Sequence, residues 1–179
     1  VARVRRIVVT GGPGSGKSTL LDRLGAAGYA RSEEAGRGVI RDQLAVGGAA
    51  LPWADRALFA ELMLCWELRN YRSAAGGTVL FDRGLPDIAG YLRVEGLAVP
   101  AHVHAAARDL RYERRVFLAP PWPEIYRTDE ERAQSPEVAR RTCEVMAETY
   151  AEYGYDLVEL PKAPVDDRAR FVRDAIEDR

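Results

Sequence analysis

Gly11-Gly12-Pro13-Gly14-Ser15-Gly16-Lys17-Ser18-Thr19 follows directly on the apolar run Ile7-Val8-Val9, and this stretch decides how the rest of the chain is read. Its spacing is G-x-x-x-x-G-K-[S/T]: small residues let backbone N–H groups wrap a phosphate, Lys17 reaches the outer phosphates and the Ser18 hydroxyl takes Mg²⁺. A strand is expected over Val4–Val9 and a helix over Ser18–Ala27, so the helix dipole points at the anion. Gly12, Pro13, Gly14, Ser15, Gly16, Lys17, Ser18 and Thr19 are therefore the expected seat of a nucleoside triphosphate, with the N–H groups from Gly14 to Thr19 cradling its phosphates.

The remaining composition sets limits on partners. The 179 residues carry a formal net charge of -1, so no global basic field points to nucleic acid or an anionic membrane surface. The length suits a single domain over residues 1–179. Lys17 and Lys162 are the only lysines among 26 basic residues. A lysine kept at the motif is informative, because a compact ammonium fits between phosphate oxygens where a planar guanidinium does not. Cys65 and Cys143 fall in apolar helical stretches, are expected in the core, and suit a reducing compartment. No apolar run approaches membrane-spanning length and Val1–Arg6 enters a strand too soon for a signal peptide, which together lead to a cytoplasmic expectation.

The chain alternates strand and helix signals, which makes the fold class α/β. A short strand is expected at Tyr29–Ser32, then a helix through Val39, Ile40 and Leu44 that stops at Gly47-Gly48. Pro52 is expected to open a long helix to about Ala74, whose stripe Phe59, Leu62, Met63 and Trp66 reads as packing against the sheet. Thr78–Asp82 is a buried-type strand, followed by a helical stretch with Ile88, Tyr91 and Leu92. Pro100–Leu110 is a helix that sends His102 and His104 to different faces, which argues against a shared metal site. Arg115–Leu118 is the fourth strand. Ser135-Pro136-Glu137 starts a helix with a favoured cap, buried through Ala139, Cys143, Met146, Tyr150 and Tyr153. Tyr155–Leu160 is the fifth strand, and Asp167–Glu177 a last helix covering the sheet with Phe171, Val172 and Ile176.

Phosphoryl transfer needs positioning and charge neutralisation more than covalent chemistry. Asp82, ending an apolar strand, is the candidate second Mg²⁺ ligand, with an N-cap of the next helix as its structural alternative. Glu34, at the end of the second strand, is the candidate general base that takes the acceptor's proton. Asp82 is the rival base, and Glu33 the rival for the inward position, because a one-residue shift flips the face. Arg37 and Arg83 lie beside the carboxylates, as holders of the acceptor or as their salt-bridge partners. The polar stretch from Tyr126 to Arg132, within a lid at about 124–135, offers Arg127 and Arg132 to neutralise transition-state charge, against the plainer reading of a solvated loop. Trp122 reads either as a stacking platform or as a plug for the Pro bracket around it.

With these residues in view, the chain resembles a family of small AAA-type-named P-loop proteins related to nucleoside and nucleotide kinases, the ribosylnicotinamide kinase domain among them. The matching features are Gly11–Thr19, Glu34-Ala35-Gly36-Arg37, Asp82-Arg83-Gly84 with Pro86-Asp87 and Tyr91-Leu92, and Pro121-Trp122 followed by Tyr126, Asp129 and Arg132. The resemblance implies a kinase-like three-layer sandwich, a five-stranded parallel sheet in 2-3-1-4-5 order, and an arginine-bearing lid. It also implies a substrate side that includes Asp87 and Tyr91 with Glu34, Arg37 and Arg83. The second helical domain and the sensor motifs of the larger hexameric AAA+ ATPases are not expected in this chain.

The expected activity is a Mg²⁺-dependent transfer of the ATP γ-phosphate to a small-molecule hydroxyl or phosphate acceptor such as a nucleoside, a nucleotide or a natural product. A resistance role is the same chemistry with a different acceptor. The alternative is an ATP- or GTP-binding switch, or an ATPase, with a protein or lipid partner. A guanine reader of the Asn-Lys-x-Asp type is missing, since the only Asn, Asn70, is followed by Tyr71.

Overall fold

The computed structural model describes residues 4–125 and 135–177. Its centre is a five-stranded parallel sheet made of β1 (Arg5–Gly11), β2 (Ala30–Arg31), β3 (Thr78–Asp82), β4 (Arg115–Ala119) and β5 (Asp156–Glu159), in the order β2-β3-β1-β4-β5. Between them run α1 (Lys17–Ala26), α2 (Ala35–Val46), α3 (Arg56–Ser73), α4 (Leu85–Val94), α5 (Ala101–Asp109) and α6 (Pro136–Glu152), and α7 (Val165–Glu177) follows β5. The expected α/β class and strand order are those of the structure.

Both faces of the sheet are covered, as parallel strands require. Ile7, Val9, Leu80 and Phe117 point to one side, where Leu20, Leu21 and Leu24 of α1 and Val172 and Ile176 of α7 cover them. Val8, Val79, Phe81 and Val116 point to the other, under α2, α3, α4 and α5, with Tyr150 of α6 and Tyr155 in the same cluster. The alternation of odd and even residues along β1 is the two-residue period of a strand, and it divides the core into these two layers.

Several boundaries differ from the sequence expectation. The second strand shrinks to Ala30–Arg31, because this edge strand pairs only with β3, through Val79 and Leu80. The third helix begins at Arg56, not Pro52: Asp55 Oδ1 accepts from the Leu58 N–H at 2.9 Å and caps it, leaving Pro52 in the preceding turn. Cys65 is exposed on that helix, whereas Cys143 is buried. Phe171 is partly exposed, meeting only the edge of Phe117, so Val172 and Ile176 provide the buried face of α7. The Ser135 cap is as expected, its Oγ accepting from the Val138 N–H at 3.3 Å.

Two glycines explain how the loop after β1 sits so close to its neighbours. Gly16 is the N-cap of α1 with φ 77°, a left-handed conformation that costs a side chain. At Gly12 a Cβ would stand 2.5 Å from the Ala139 carbonyl of α6, which is backbone and cannot swing away. Gly12→Ala should therefore cost about 1–3 kcal/mol by forcing α6 from the loop. Urea unfolding of the variant beside wild type measures this.

Candidate functional site: the loop after β1 and the cavity beyond β3

The loop between β1 and α1 closes on itself. Ser15 Oγ donates to the Gly12 carbonyl at 2.8 Å, and Lys17 Nζ reaches back to the same oxygen at 3.2 Å. Ser15 and Lys17 are buried, whereas Gly14, Ser18 and Thr19 are exposed around the start of α1. The amides of that first turn have no intrahelical acceptor, which is the arrangement that binds an anion.

Beside this loop the carboxyl ends of β2 and β3 bring together the acidic candidates. Glu34 is buried and lines a cavity, whereas Glu33 is exposed and pairs with Arg41 at 2.7 Å. Glu34 is thus the inward residue of the pair. It meets Arg37 at 3.2 Å and Arg83 at 3.5 Å, so both arginines stand against this carboxylate. Asp82 is buried, and its Oδ1 has no hydrogen-bond partner among the described residues. The N-cap of α4 is Gly84, whose N–H is taken by Asp87 Oδ2 at 2.8 Å, so Asp82 is not that cap. Burial raises the Asp82 carboxyl above its ordinary value, Lys17 pulls it back, and Glu34 raises it again.

Asp87 is the most heavily engaged of these groups. Its Oδ1 accepts from Thr10 Oγ1 at 2.5 Å and from Arg83 Nη1 at 3.3 Å, and its Oδ2 from the Tyr150 hydroxyl at 2.6 Å besides the Gly84 N–H. Arg83 Nη1 also donates to the Gly11 carbonyl at 2.8 Å. Arg83 has φ 69°, the one positive value outside glycine among the described residues. Burial opposes its charge, yet Glu34, Asp87 and Asp82 outweigh it and hold the guanidinium protonated.

The cavity has a volume of about 160 Å³. Its apolar wall includes Ile40, Phe59, Met63, Ile88 and Met146; Glu34, Glu67, Asp87 and Glu95 bring carboxyls, and Tyr91 and Thr142 hydroxyls. Phe59 and Met63 thus face this space as well as the core, and α3 contributes to the site beyond the packing role expected from its stripe. The Tyr91 hydroxyl is buried without a partner among the described residues, and burial pushes the phenol up.

Three participants were not anticipated. Glu67 is almost completely buried; its Oε1 accepts from Asn70 Nδ2 at 3.1 Å, and its Oε2 has no partner among the described residues. Burial first, and the nearby Asp87, Asp82 and Glu34 after it, raise this carboxyl well above its usual range despite the Asn70 bond. Tyr150 closes the Asp87 network from α6. Arg168 of α7 is buried, donates to the Gly16 carbonyl at 3.2 Å and lies 5.3 Å from the ring centre of half-buried Trp122. Trp122 therefore stacks on an arginine of this chain, which its reading as a plug had not foreseen. A signal for two of them was present: Glu67 follows Phe59 and Met63 at four-residue steps, and Arg168 precedes Val172 and Ile176 at the same step. A charged residue on an apolar helical stripe is a buried charge with a purpose.

The expected lid residues Tyr126, Arg127, Asp129 and Arg132 lie outside the described residues. His102 bonds Glu61 and His104 bonds Tyr153, on separate neighbours. No group of three metal-binding side chains occurs among the described residues, and no helix among them is long and apolar enough to cross a membrane.

A β-loop-α phosphate cradle on a parallel sheet, with a buried carboxylate at the end of the adjacent strand, defines the P-loop kinase-like class of nucleotide-binding folds. A family model described as AAA domain (AAA_28) matches residues 6–168, and the chain belongs to that family. No curated protein matches the chain. Among solved structures, it is similar to a deoxyadenosine kinase from M. mycoides with products dCMP and a flexible dCDP bound, at 15% identity and a TM-score of 0.68, covering 96% of this chain and 98% of that one. It is similar to the thymidylate kinase from Candida albicans at 13% identity and a TM-score of 0.69, covering 99% and 92%. It also matches NadR protein in complex with NR at 18% identity and a TM-score of 0.69, where 97% of this chain covers 50% of that one.

Two measurements check this network. Asp87→Ala leaves Arg83 without one of its counter-charges and three donors without an acceptor, and should cost about 3–5 kcal/mol in urea unfolding, whereas Tyr150→Phe should cost about 1–3 kcal/mol. Glu67 is a pH probe. Its folded-state pKa is raised above the ordinary 4.5, so its contribution to stability is full below that value and is lost as pH rises through the folded-state pKa. Glu67→Gln does not titrate, so its melting temperature relative to wild type should climb as pH rises above about 4.5; a constant difference would show that the carboxyl is not held protonated.

Proposed function

We propose that this protein is an ATP-dependent small-molecule kinase that moves the γ-phosphate to an acceptor held in the cavity between α2, α3 and α4. One observation carries the reading: a buried carboxylate, Glu34, lines a partly apolar cavity of about 160 Å³ immediately beside the phosphate cradle. A nucleotide-binding switch or plain ATPase has no need for a second, partly apolar cavity at that place.

The roles follow from charge and position. The N–H groups from Gly14 to Thr19 bind the triphosphate, and Lys17 leaves the Gly12 carbonyl to stabilise the β and γ phosphates. Ser18 and Asp82 would hold Mg²⁺: the buried Asp82 Oδ1, without a hydrogen-bond partner among the described residues, is a hard oxygen of the kind that ion takes. Bound there, the ion supplies charge neutralisation at the phosphates.

Glu34 takes the proton of the acceptor hydroxyl as its oxygen attacks the γ-phosphorus and the bond to the ADP oxygen breaks, releasing ADP, and the ion pairs with Arg37 and Arg83 aim that carboxylate. Asp82, committed to the ion, is the weaker base candidate. Arg83 and Asp87 shape the substrate side as positioning residues, since their polar atoms are already engaged, and Tyr91 offers its hydroxyl directly to the acceptor. Arg127 and Arg132 would close over the phosphates from the lid. Residues 1–179 act as one unit in this scheme. The fold similarity to nucleoside and nucleotide kinases supports the reading.

The test is product formation: purified protein, ATP, Mg²⁺ and a panel of nucleosides, nucleotides and hydroxylated natural products, with products read by mass. Transfer to at least one acceptor is expected, and ATP hydrolysis that no acceptor alters would sink the proposal. Glu34→Gln should lower kcat by about 10²–10⁴-fold with the affinity for a non-hydrolysable ATP analogue unchanged. Lys17→Ala should weaken that analogue's binding, measured by calorimetry.

A further inference from the structure

The acceptor cavity has an internal asymmetry that bears on what it holds. Its lining contains four carboxyl side chains, Glu34, Glu67, Asp87 and Glu95, and among the described residues Arg83 is its single cation. The Arg83 guanidinium is already bound to the Gly11 carbonyl, Asp87 and Glu34. Glu95 at the far end pairs with Arg56 at 3.1 Å. Burial favours the neutral form of Glu67, which leaves Glu34, Asp87 and Glu95 as the acidic wall that a phosphate on the acceptor would enter, and among the described lining residues the single guanidinium is already committed, a costly arrangement for a dianion.

Two buried polar atoms in the same cavity lack partners among the described residues: Glu67 Oε2 and the Tyr91 hydroxyl. A buried polar group without a hydrogen bond costs about 1–3 kcal/mol, so a site keeps one only where something else compensates. Glu67 is 1% exposed and stands on the helix face that also presents Met63 and Phe59 to the cavity. Its other oxygen is held by Asn70, which also donates to the Glu33 carbonyl at 3.0 Å, so the carboxyl is fixed in direction. The volume of about 160 Å³ is near that of a cavity able to take one benzene-sized ring, and Phe59, Met63, Ile40, Ile88 and Met146 make its walls apolar.

We propose that the acceptor is a phosphate-free compound carrying hydroxyls and one flat apolar ring, a nucleoside-like molecule as opposed to a nucleoside monophosphate, and that Glu67 Oε2 hydrogen-bonds one of its polar groups. The proposal rests on the kinase reading of the cavity and adds the class of acceptor and a binding residue. Tyr91 provides a second hydrogen bond from α4. The acidic wall rejects the phosphorylated form of the same molecule, so the product leaves the cavity once its phosphate is in place.

Calorimetry without ATP tests binding separately from transfer. The probes are adenosine, cytidine, thymidine and nicotinamide riboside, each beside its own monophosphate. At least one nucleoside should bind, more tightly than its monophosphate. Glu67→Leu should weaken that binding at least tenfold, and Glu67→Gln less. In both variants the affinity for a non-hydrolysable ATP analogue should stay at the wild-type value, which a merely structural role for Glu67 does not predict. If the leucine variant does not fold, the glutamine variant decides, through its KM for the acceptor against its KM for ATP. Tighter binding of the monophosphates, binding of no nucleoside, or unchanged acceptor affinity in the variants overturns the proposal. Glu67-dependent nucleoside binding with no phosphate transfer would uphold it and refute the kinase reading; transfer confined to monophosphates would do the reverse.

Discussion

Arg83 is the constraint on which the site depends. It stands directly after β3 with φ 69°, a conformation that costs a non-glycine residue of the order of 1–3 kcal/mol. Three attachments hold it there: the Gly11 carbonyl of the phosphate cradle, Asp87 at the start of α4, and Glu34 at the start of α2. Leaving a buried charge unpaired costs more than the strain, about 3–5 kcal/mol, so the backbone yields to the side chain. The consequence is mechanical. One guanidinium ties the loop after β1 to α2 and α4, two of the helices that wall the cavity.

Asp87 completes that tie from beneath. It collects a hydroxyl from β1, a hydroxyl from α6, the guanidinium and the amide that begins its own helix. β1, the junction from β3 to α4 and α6 are thereby referenced to one carboxylate, and buried polar networks specify a unique arrangement only when fully satisfied, as the bonds of Asp87 are. Among the described residues five buried side-chain atoms are left without a partner, and three of them, Asp82 Oδ1, Glu67 Oε2 and the Tyr91 hydroxyl, stand out against it as oxygens. They divide by location: Asp82 belongs to the phosphate side, and Glu67 and Tyr91 to the cavity.

Much of the frame was legible because it depends on local pattern. Odd and even residues of β1 separate into two core layers, and the Gly11–Thr19 spacing places an anion site at the start of α1 whatever the surroundings. The inward choice of Glu34 over Glu33 was not legible, since neighbouring residues at the end of a two-residue edge strand carry equivalent local signals. Arg168 and Glu67 were hidden differently. Their periodicity was plain, but a single charge on a stripe reads as an interruption until the packing shows what it faces.

By itself, then, the sequence determined the α/β class, the phosphate cradle and the identities of the carboxylates and arginines beside it, because periods of two and 3.6 and a glycine-rich turn are properties of neighbouring residues. Tertiary structure decided which of those groups meet: that Arg83 bridges Glu34 and Asp87, that Trp122 lies against Arg168, and that α3 turns Phe59, Met63 and Glu67 into one cavity. The physical reason is distance along the chain. Arg83 and Gly11 are 72 residues apart and Tyr150 and Asp87 are 63, and only the stacking of helices on a shared sheet brings such groups within hydrogen-bond reach.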